Sequence, residues 1–238
     1  MSTVHCVGIT QQIDQFPQTT EGLNNPEAFM VYMARVSNPS SQTAGLNPTG
    51  LLTYCIKHKH WSVFDMVDMV VEIICPRDVS RQIIRHASLK VQEFSQRYAE
   101  VDTDTSVLRE CRMQDSKNRQ NSIPVDSEDY VAREWASQQE MLLKAIHYSY
   151  KWAIDKGIAR EVARAVLPEG LTHSRMYVKG SVRSWIHYCE VRRAASTQKE
   201  HCEVADLVWS CFKEQFPATA RAVENNKLSS ETPEPKHY

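Results

Sequence analysis

The chain has 238 residues, 42% hydrophobic and 24% charged, figures that suit one soluble globular domain. Its 28 lysines and arginines are balanced by 29 acidic residues, so no overall charge draws it to nucleic acid or a membrane surface. Seven scattered cysteines without a C-x-x-C, an N-terminus unlike a secretion signal and no membrane-length apolar run predict reduced thiols in the cytoplasm, and the seven glycines form neither a Rossmann nor a P-loop cradle.

In chain order, "TVHCVGI" (3–9) is β-branched and predicts a strand. "NPEAFMVYMARVS" (25–37) opens on Asn-Pro, a cap with proline at the first helical position, and predicts a helix. Residues 37–50 read as a loop and 51–60 as a helix. "MVDMVVEII" (66–74) partly alternates, with Asp68 and Glu72 on one side, and predicts a strand. Pro76 and Asp78 open a helix over 77–87. The longest helical pattern covers 127–157, with Ser127 as its N-cap and Gly157 as its stop. A shorter helix (158–168) ends at Pro168, 174–180 predicts a strand, and 181–196 and 197–217 predict two more helices. The polar, proline-bearing stretch 225–238 reads as a frayed end. Without repeats or a second boundary, the expectation is a single domain over 1–220 with a polar tail over 221–238. Its class is α/β (α+β), helix-rich in its second half.

"RQIIRHASLKVQEFSQRY" (81–98) concentrates Arg81, Arg85, His86, Lys90 and Arg97 around one carboxylate, Glu93. Arg81 and Arg85 are four apart and share a helical face. Arg164 comes late in the 158–168 helix, and Arg183, Arg192 and Arg193 lie on the next. Taken singly, these are solvated helix-face arginines. Together with Gln82, Glu93 and Ser95 they point to an anionic ligand, because guanidinium forks match phosphate. No metal site is expected: His58 and His60, two apart, fall on different sides of a helix, and no cysteine cluster supports them. There is no G-x-S-x-G elbow, and Cys189 within "IHYCEV" reads as a buried, inert thiol.

The same stretch resembles the signature of the flavin-dependent thymidylate synthases, RHR-x-x-S-x-N-E-x-S-x-R-Y. Arg85, His86, Glu93, Ser95, Arg97 and Tyr98 stand at matching spacing, and "QEFSQRY" (92–98) is similar to a branch with viral members. "ARVSNP" (34–39), "IKHKHWS" (56–62), "KNRQNS" (117–122), "ARAVLP" (163–168), "RSWIHY" (183–188) and "TQKEH" (197–201) extend the resemblance over roughly 30–217. It implies a central, largely antiparallel sheet flanked by helices, and a homotetramer with active sites at subunit interfaces. The implied reaction carries a methylene from methylenetetrahydrofolate to C5 of dUMP, giving dTMP, with reduced FAD as hydride donor and NADPH recharging it. Neither nucleic acid nor membrane is an implied partner, and the location is the host cytoplasm if the source is viral.

The resemblance also implies roles. Gln82, Arg85, Glu93, Ser95, Gln96, Arg97 and Arg164 match nucleotide-holding positions. Arg192, six residues before Gln198, matches the catalytic arginine at the pyrimidine edge, where a fixed cation stabilises developing negative charge. Ser62, Arg85, His86, Ala87, Glu93, Ser181, Arg183 and His187 match flavin-contacting positions, with His60 beside them. Ser95, lacking an evident base, is assigned to binding.

Four positions depart from the pattern. Ala87 replaces the third signature arginine, Lys90 a serine, Gln92 an asparagine (usual in this branch), and Ser196 a flavin-contacting histidine. Lys90 is the spacing-based candidate to replace the missing charge, and Lys179 and Arg193 are read as additional positive charge near the site. Methylation of dUMP is the first expectation. Methylation or hydroxymethylation of dCMP, or of another modified pyrimidine nucleotide, for modified viral DNA is the alternative. A catalytically degenerate nucleotide-binding homologue is the third.

Overall fold

Two strands with strict alternation form the centre of the molecule. In β2 (Asp68–Pro76) the side chains of Met69, Val71, Ile73 and Cys75 are buried, and in β6 (His173–Ser181) those of Ser174, Met176 and Val178. Alternate residues of one strand face one side of a sheet, so the apolar set lies on a single face. With β1 (Thr3–Ile9) and β3 (Lys90–Glu93) they form an antiparallel sheet of order β1-β2-β6-β3. A separate two-stranded ribbon pairs β4 (Arg112–Gln114) with β5 (Ser122–Pro124). This is the expected antiparallel, helix-flanked α/β architecture. The computed structural model describes residues 1–10, 25–42 and 47–231.

The sheet's apolar face is covered by α1 (Pro26–Ala34), α3 (Pro48–Lys57), α4 (Arg77–Ile84), α7 (Val182–Arg192), α8 (Lys199–Gln215) and α9 (Pro217–Glu231), while the short α2 (Pro39–Gln42) buries nothing. Trp185, Tyr188, Phe64, Phe212, Phe216 and Met30 are the largest fully buried side chains. Gly180 is needed where it stands. A Cβ there would meet Leu89 Cδ2 at 2.6 Å and Trp185 Nε1 at 3.2 Å, so the glycine lets the loop between α4 and β3 sit down on the sheet. A smaller cluster joins Val101 and Ala163 to Tyr150 and Ala153 of the long helix α5 (Tyr130–Asp155). Among the described residues, no helix is long and apolar enough to cross a membrane.

Several sequence expectations need correction. The long helix is capped by Asp129, whose carboxylate accepts from the Val131 N–H at 2.7 Å, and not by Ser127. The 158–168 segment is only α6 (Arg160–Ala163) followed by a 3-10 turn, Arg164–Val166. The 77–87 helix stops at Ile84, and α3 begins at Pro48 inside the expected loop, capped by Asn47. The residues 221–231 of the expected tail belong to α9, which buries Ala222 and Val223 in the core. What caps this helix is remote in sequence: the carboxylate of Glu27, 1% exposed, accepts the N–H groups of Ala218 at 3.1 Å and Thr219 at 2.6 Å. Residues 43–46 of the loop and 232–238 of the tail lie outside the described residues.

Candidate active site

Helix α4, the loop after it and α7–α8 bring one group of candidate residues together. Arg192, in the last turn of α7, donates from Nε to His86 Nε2 at 2.9 Å. His86 must therefore be neutral, with its proton on Nδ1. Burial first, and then the charges of Arg192 and His187, push His86 down to about 4. The two Nη groups of Arg192 have no partner among the described residues. Beside them Gln82 donates Nε2 to Gln198 Oε1 at 2.7 Å, and its Oε1 lies 3.1 Å from Nδ1 of the buried His201.

A second group gathers around Glu93. Ser80 and Ser174 donate to its Oε1 at 2.9 and 2.7 Å, Arg81 pairs with it, and Arg77 stands 3.7 Å away. Burial pushes the pKa of this carboxyl up, but the bonds from Ser174, Arg81 and Ser80 and the charge of Arg77 outweigh it, so Glu93 stays ionised below its ordinary range. Arg81 and Arg85, expected to act from one face, are thus in different situations. Arg81 is committed to Glu93, whereas Arg85 is exposed and makes no side-chain hydrogen bond or ion pair among the described residues. Ser95 and Gln96 follow in the chain, Gln96 buried with Nε2 unpartnered, while Arg97 pairs with Glu161 at 3.2 Å. Arg164 is half-exposed and unpaired among the described residues. No side-chain hydrogen bond or ion pair among the described residues joins this group to Gln82, His86 and Arg192.

Of the expected flavin contacts, Arg183 and His187 line a cavity of about 440 Å³, together with Trp61, Asp65, Ser88, Ser184 and Glu190. Asp65 organises it, accepting from Arg183 and from Ser181 Oγ, each at 2.9 Å. Ser181 also caps α7, accepting the Ser184 N–H at 3.2 Å. Ser62 and His60 are exposed on the turn beside Trp61. Exposed Ala87 stands with Lys90, whose ammonium meets the Ala87 carbonyl at 3.3 Å.

Two expected surplus charges are neutralised. Lys179 pairs with Asp68 at 2.8 Å, and Arg193 with Asp206 at 2.6 Å while covering the Trp209 ring. The rings of His58 and His60 do not diverge: α3 ends at Lys57, and their centroids stand 6.1 Å apart. Cys189 is buried, and burial pushes its thiol far above the range of a nucleophile. Sequence reasoning missed His201 and Tyr188, both 0% exposed and joined at 3.1 Å. The available signal was the placement of His201 with Val204, Ala205, Val208 and Phe212 on the apolar stripe of α8.

Residues 19–218 match the family described as "Thymidylate synthase complementing protein". The chain is 43% identical over 204 residues to a probable flavin-dependent thymidylate synthase of Paramecium bursaria Chlorella virus 1, covering 86% of this chain and 93% of that one. It is 46% identical over 201 residues to the flavin-dependent thymidylate synthase of Synechocystis sp., covering 84% and 90%. Its fold is similar to the crystal structure of a UMP/dUMP methylase, PolB from Streptomyces cacaoi bound with 5-Br dUMP, at a TM-score of 0.75 and 23% identity over 94% of this chain and 95% of that one.

Proposed function

The chain belongs to the family of flavin-dependent thymidylate synthases, and from that membership we propose that it is an FAD-dependent methyltransferase acting on a deoxypyrimidine monophosphate. The reaction proposed is dUMP to dTMP: C5 gains the methylene of methylenetetrahydrofolate and loses its proton, and tetrahydrofolate leaves. Reduced FAD, when bound, supplies the hydride that completes the methyl group, and NADPH restores it.

The observation that carries this reading is Arg192, with one nitrogen fixed on neutral His86 and two Nη groups free among the described residues. Such a guanidinium is a preorganised donor pair for a pyrimidine edge. It stabilises the negative charge that develops on the ring before C5 attacks. Gln82 and Arg85, three apart at the end of α4, are proposed to bind the nucleotide. Burial pushes the Cys75 and Cys189 thiols far up, which agrees with a route that does not attack C6 through sulfur.

Ser95, Gln96, Arg97 and Arg164, with Glu93, form the other half of the nucleotide site. Among the described residues they share no side-chain bond with the Gln82–Arg192 group. We propose that the two groups complete one site across chains, as in the homotetramer proposed for this family member. Exposed Trp135, Leu142, Tyr148 and Trp152 along α5 offer apolar surface for such contacts.

The proposed FAD contacts at the 440 Å³ cavity are an aromatic wall at Trp61, His187, and Arg183 with its Asp65 partner, with Glu190 also in the lining. The N-terminus of α7 at Ser181, where the helix dipole favours anionic groups, and Ser62 on the turn after His60 complete the proposed set. Arg85, His86, Ala87 and Glu93 belong to the same proposed contacts. The test incubates the yellow, flavin-loaded protein with reductant and methylenetetrahydrofolate, giving it dUMP and dCMP in parallel, and reads product mass. A 14-dalton gain on dUMP alone is expected. Conversion of dCMP but not dUMP, or of neither, overturns the proposal.

A further inference from the structure

A line of hydrogen bonds runs from an ion-paired carboxylate into the core, and its proton directions are fixed from one end. Glu200, held by Arg112 at 2.6 Å and Arg109 at 3.0 Å, can only accept. Gln198 therefore turns Nε2 toward it, at 2.9 Å, and presents Oε1 to Gln82. Gln82 must answer with Nε2, at 2.7 Å, which points its own Oε1 at His201. Nδ1 of His201, 3.1 Å away, must then carry the proton. A neutral imidazole with Nδ1 protonated has a lone pair on Nε2, and the Tyr188 hydroxyl fills it at 3.1 Å.

We propose that His201 is a positioning residue for nucleotide binding: its Nδ1–H, opposed by Gln198 on the other side, locks the Gln82 carboxamide in one polarity. A free carboxamide can exchange its oxygen and nitrogen by a half-turn and so adapt to either a donor or an acceptor. Gln82 cannot make that turn without breaking two inward bonds at once. It meets the ligand with one N–H and one lone pair already assigned, which removes an ordering cost from binding. This inference rests on the reading of Gln82 as a nucleotide contact.

Burial, and then the charges of Arg192 and His86, hold His201 down to about 3, so the tautomer persists across the neutral range. A histidine that only filled the core would need the packing and the Tyr188 hydroxyl, and its bond to Gln82 would be incidental. The two roles separate because asparagine places its amide near the Nδ1 position of histidine and glutamine near Nε2. His201→Asn keeps a donor for Gln82 and loses Tyr188. His201→Gln does the reverse.

The experiment titrates dUMP calorimetrically into the flavin-loaded, full-length protein and its two variants, with melting temperatures measured alongside. Both variants are expected to melt lower than the parent. His201→Gln should raise the Kd for dUMP about tenfold, the consequence of one lost hydrogen bond. His201→Asn should recover the affinity to within about threefold. Equal affinities for the two variants, whether both weakened or both unchanged, overturn the lock. If a His201 variant does not fold, Gln198→Met takes its place, since it removes the other restraint at a half-buried position. It must weaken dUMP binding by a similar factor, and unchanged binding refutes the proposal. Failure of the parent protein to bind dUMP is a different result and overturns the functional reading itself.

Discussion

Arg192 and His86, 106 positions apart in the chain, share one proton bridge: the Nε–H of the arginine ends on Nε2 of the histidine at 2.9 Å. The bond keeps the imidazole neutral and fixes the plane of the guanidinium, which leaves both Nη groups as a rigid fork without a partner among the described residues. Lysine keeps the charge but has neither the fork nor the Nε donor. Arg192→Lys is therefore expected to lower kcat on dUMP about 100-fold, as loss of a preorganised donor does elsewhere. Steady-state kinetics with melting curves check this. A variant with near-parent kcat would remove Arg192 from the chemistry.

The two depressed histidines also set an acid limit on stability. In the unfolded chain His86 and His201 protonate near pH 6.5, but in the fold they resist until about 4 and about 3. Between those values the unfolded state binds more protons, so stability falls as pH drops below 6.5 and is fully present above it. For the fully buried His201 the slope approaches 1.4 kcal/mol per pH unit. Urea midpoints should hold from pH 7.5 to about 6.5 and fall from there to pH 5. His201→Asn, which removes one titrating group, should flatten that fall, and an identical slope in the variant would contradict the assignment.

A third expectation concerns Glu27, whose carboxylate closes the N-terminus of α9 from the opposite end of the chain. Glu27→Ala leaves two buried N–H groups without acceptors, each worth about 1–3 kcal/mol. Glu27→Gln retains one acceptor oxygen and should cost less. Chemical denaturation ranks the two. Equal and small losses would mean that α9 is held by its apolar contacts alone.

That cap explains where sequence reading stopped. The alternation of β2 and β6 and the Asn25–Pro26 start of α1 are local signals, and they locate the sheet and the first helix well. Asn47–Pro48 carries the same start signal, but the polar residues before it obscured it. The helix α9 has an alanine-rich opening and an acceptor supplied from 191 positions away, so nothing nearby announces it. The site divides the same way. Arg192, Gln82 and Glu93 stand out through a recognisable pattern of residues, whereas the partners that orient them lie far off in the chain. Gln82 and His201 are 119 positions apart, and only the packing of α4 on α8 brings them together. Arg81 and Arg85 share a helical face by spacing, yet Glu93 captures one and leaves the other.

The remaining question is how the chain manages without an arginine at Ala87. In the β3–β6 register Lys90 stands directly opposite Lys179, and like charges so placed repel unless one is neutralised. Asp68 neutralises Lys179 at 2.8 Å. Lys90 meets only the Ala87 carbonyl and no carboxylate among the described residues, so its charge remains available beside the altered position. A charge-assisted contact to a flavin or folate anion is worth about 1.5–3 kcal/mol. Lys90→Ala is accordingly expected to weaken FAD or methylenetetrahydrofolate binding by at least about tenfold, measured by fluorescence titration of the flavin-free protein and by KM for the folate. The double variant Ala87→Arg with Lys90→Ala should regain most of the loss, since it returns a cation three residues away. Unchanged affinities and turnover in Lys90→Ala would show that this lysine does not replace the missing arginine.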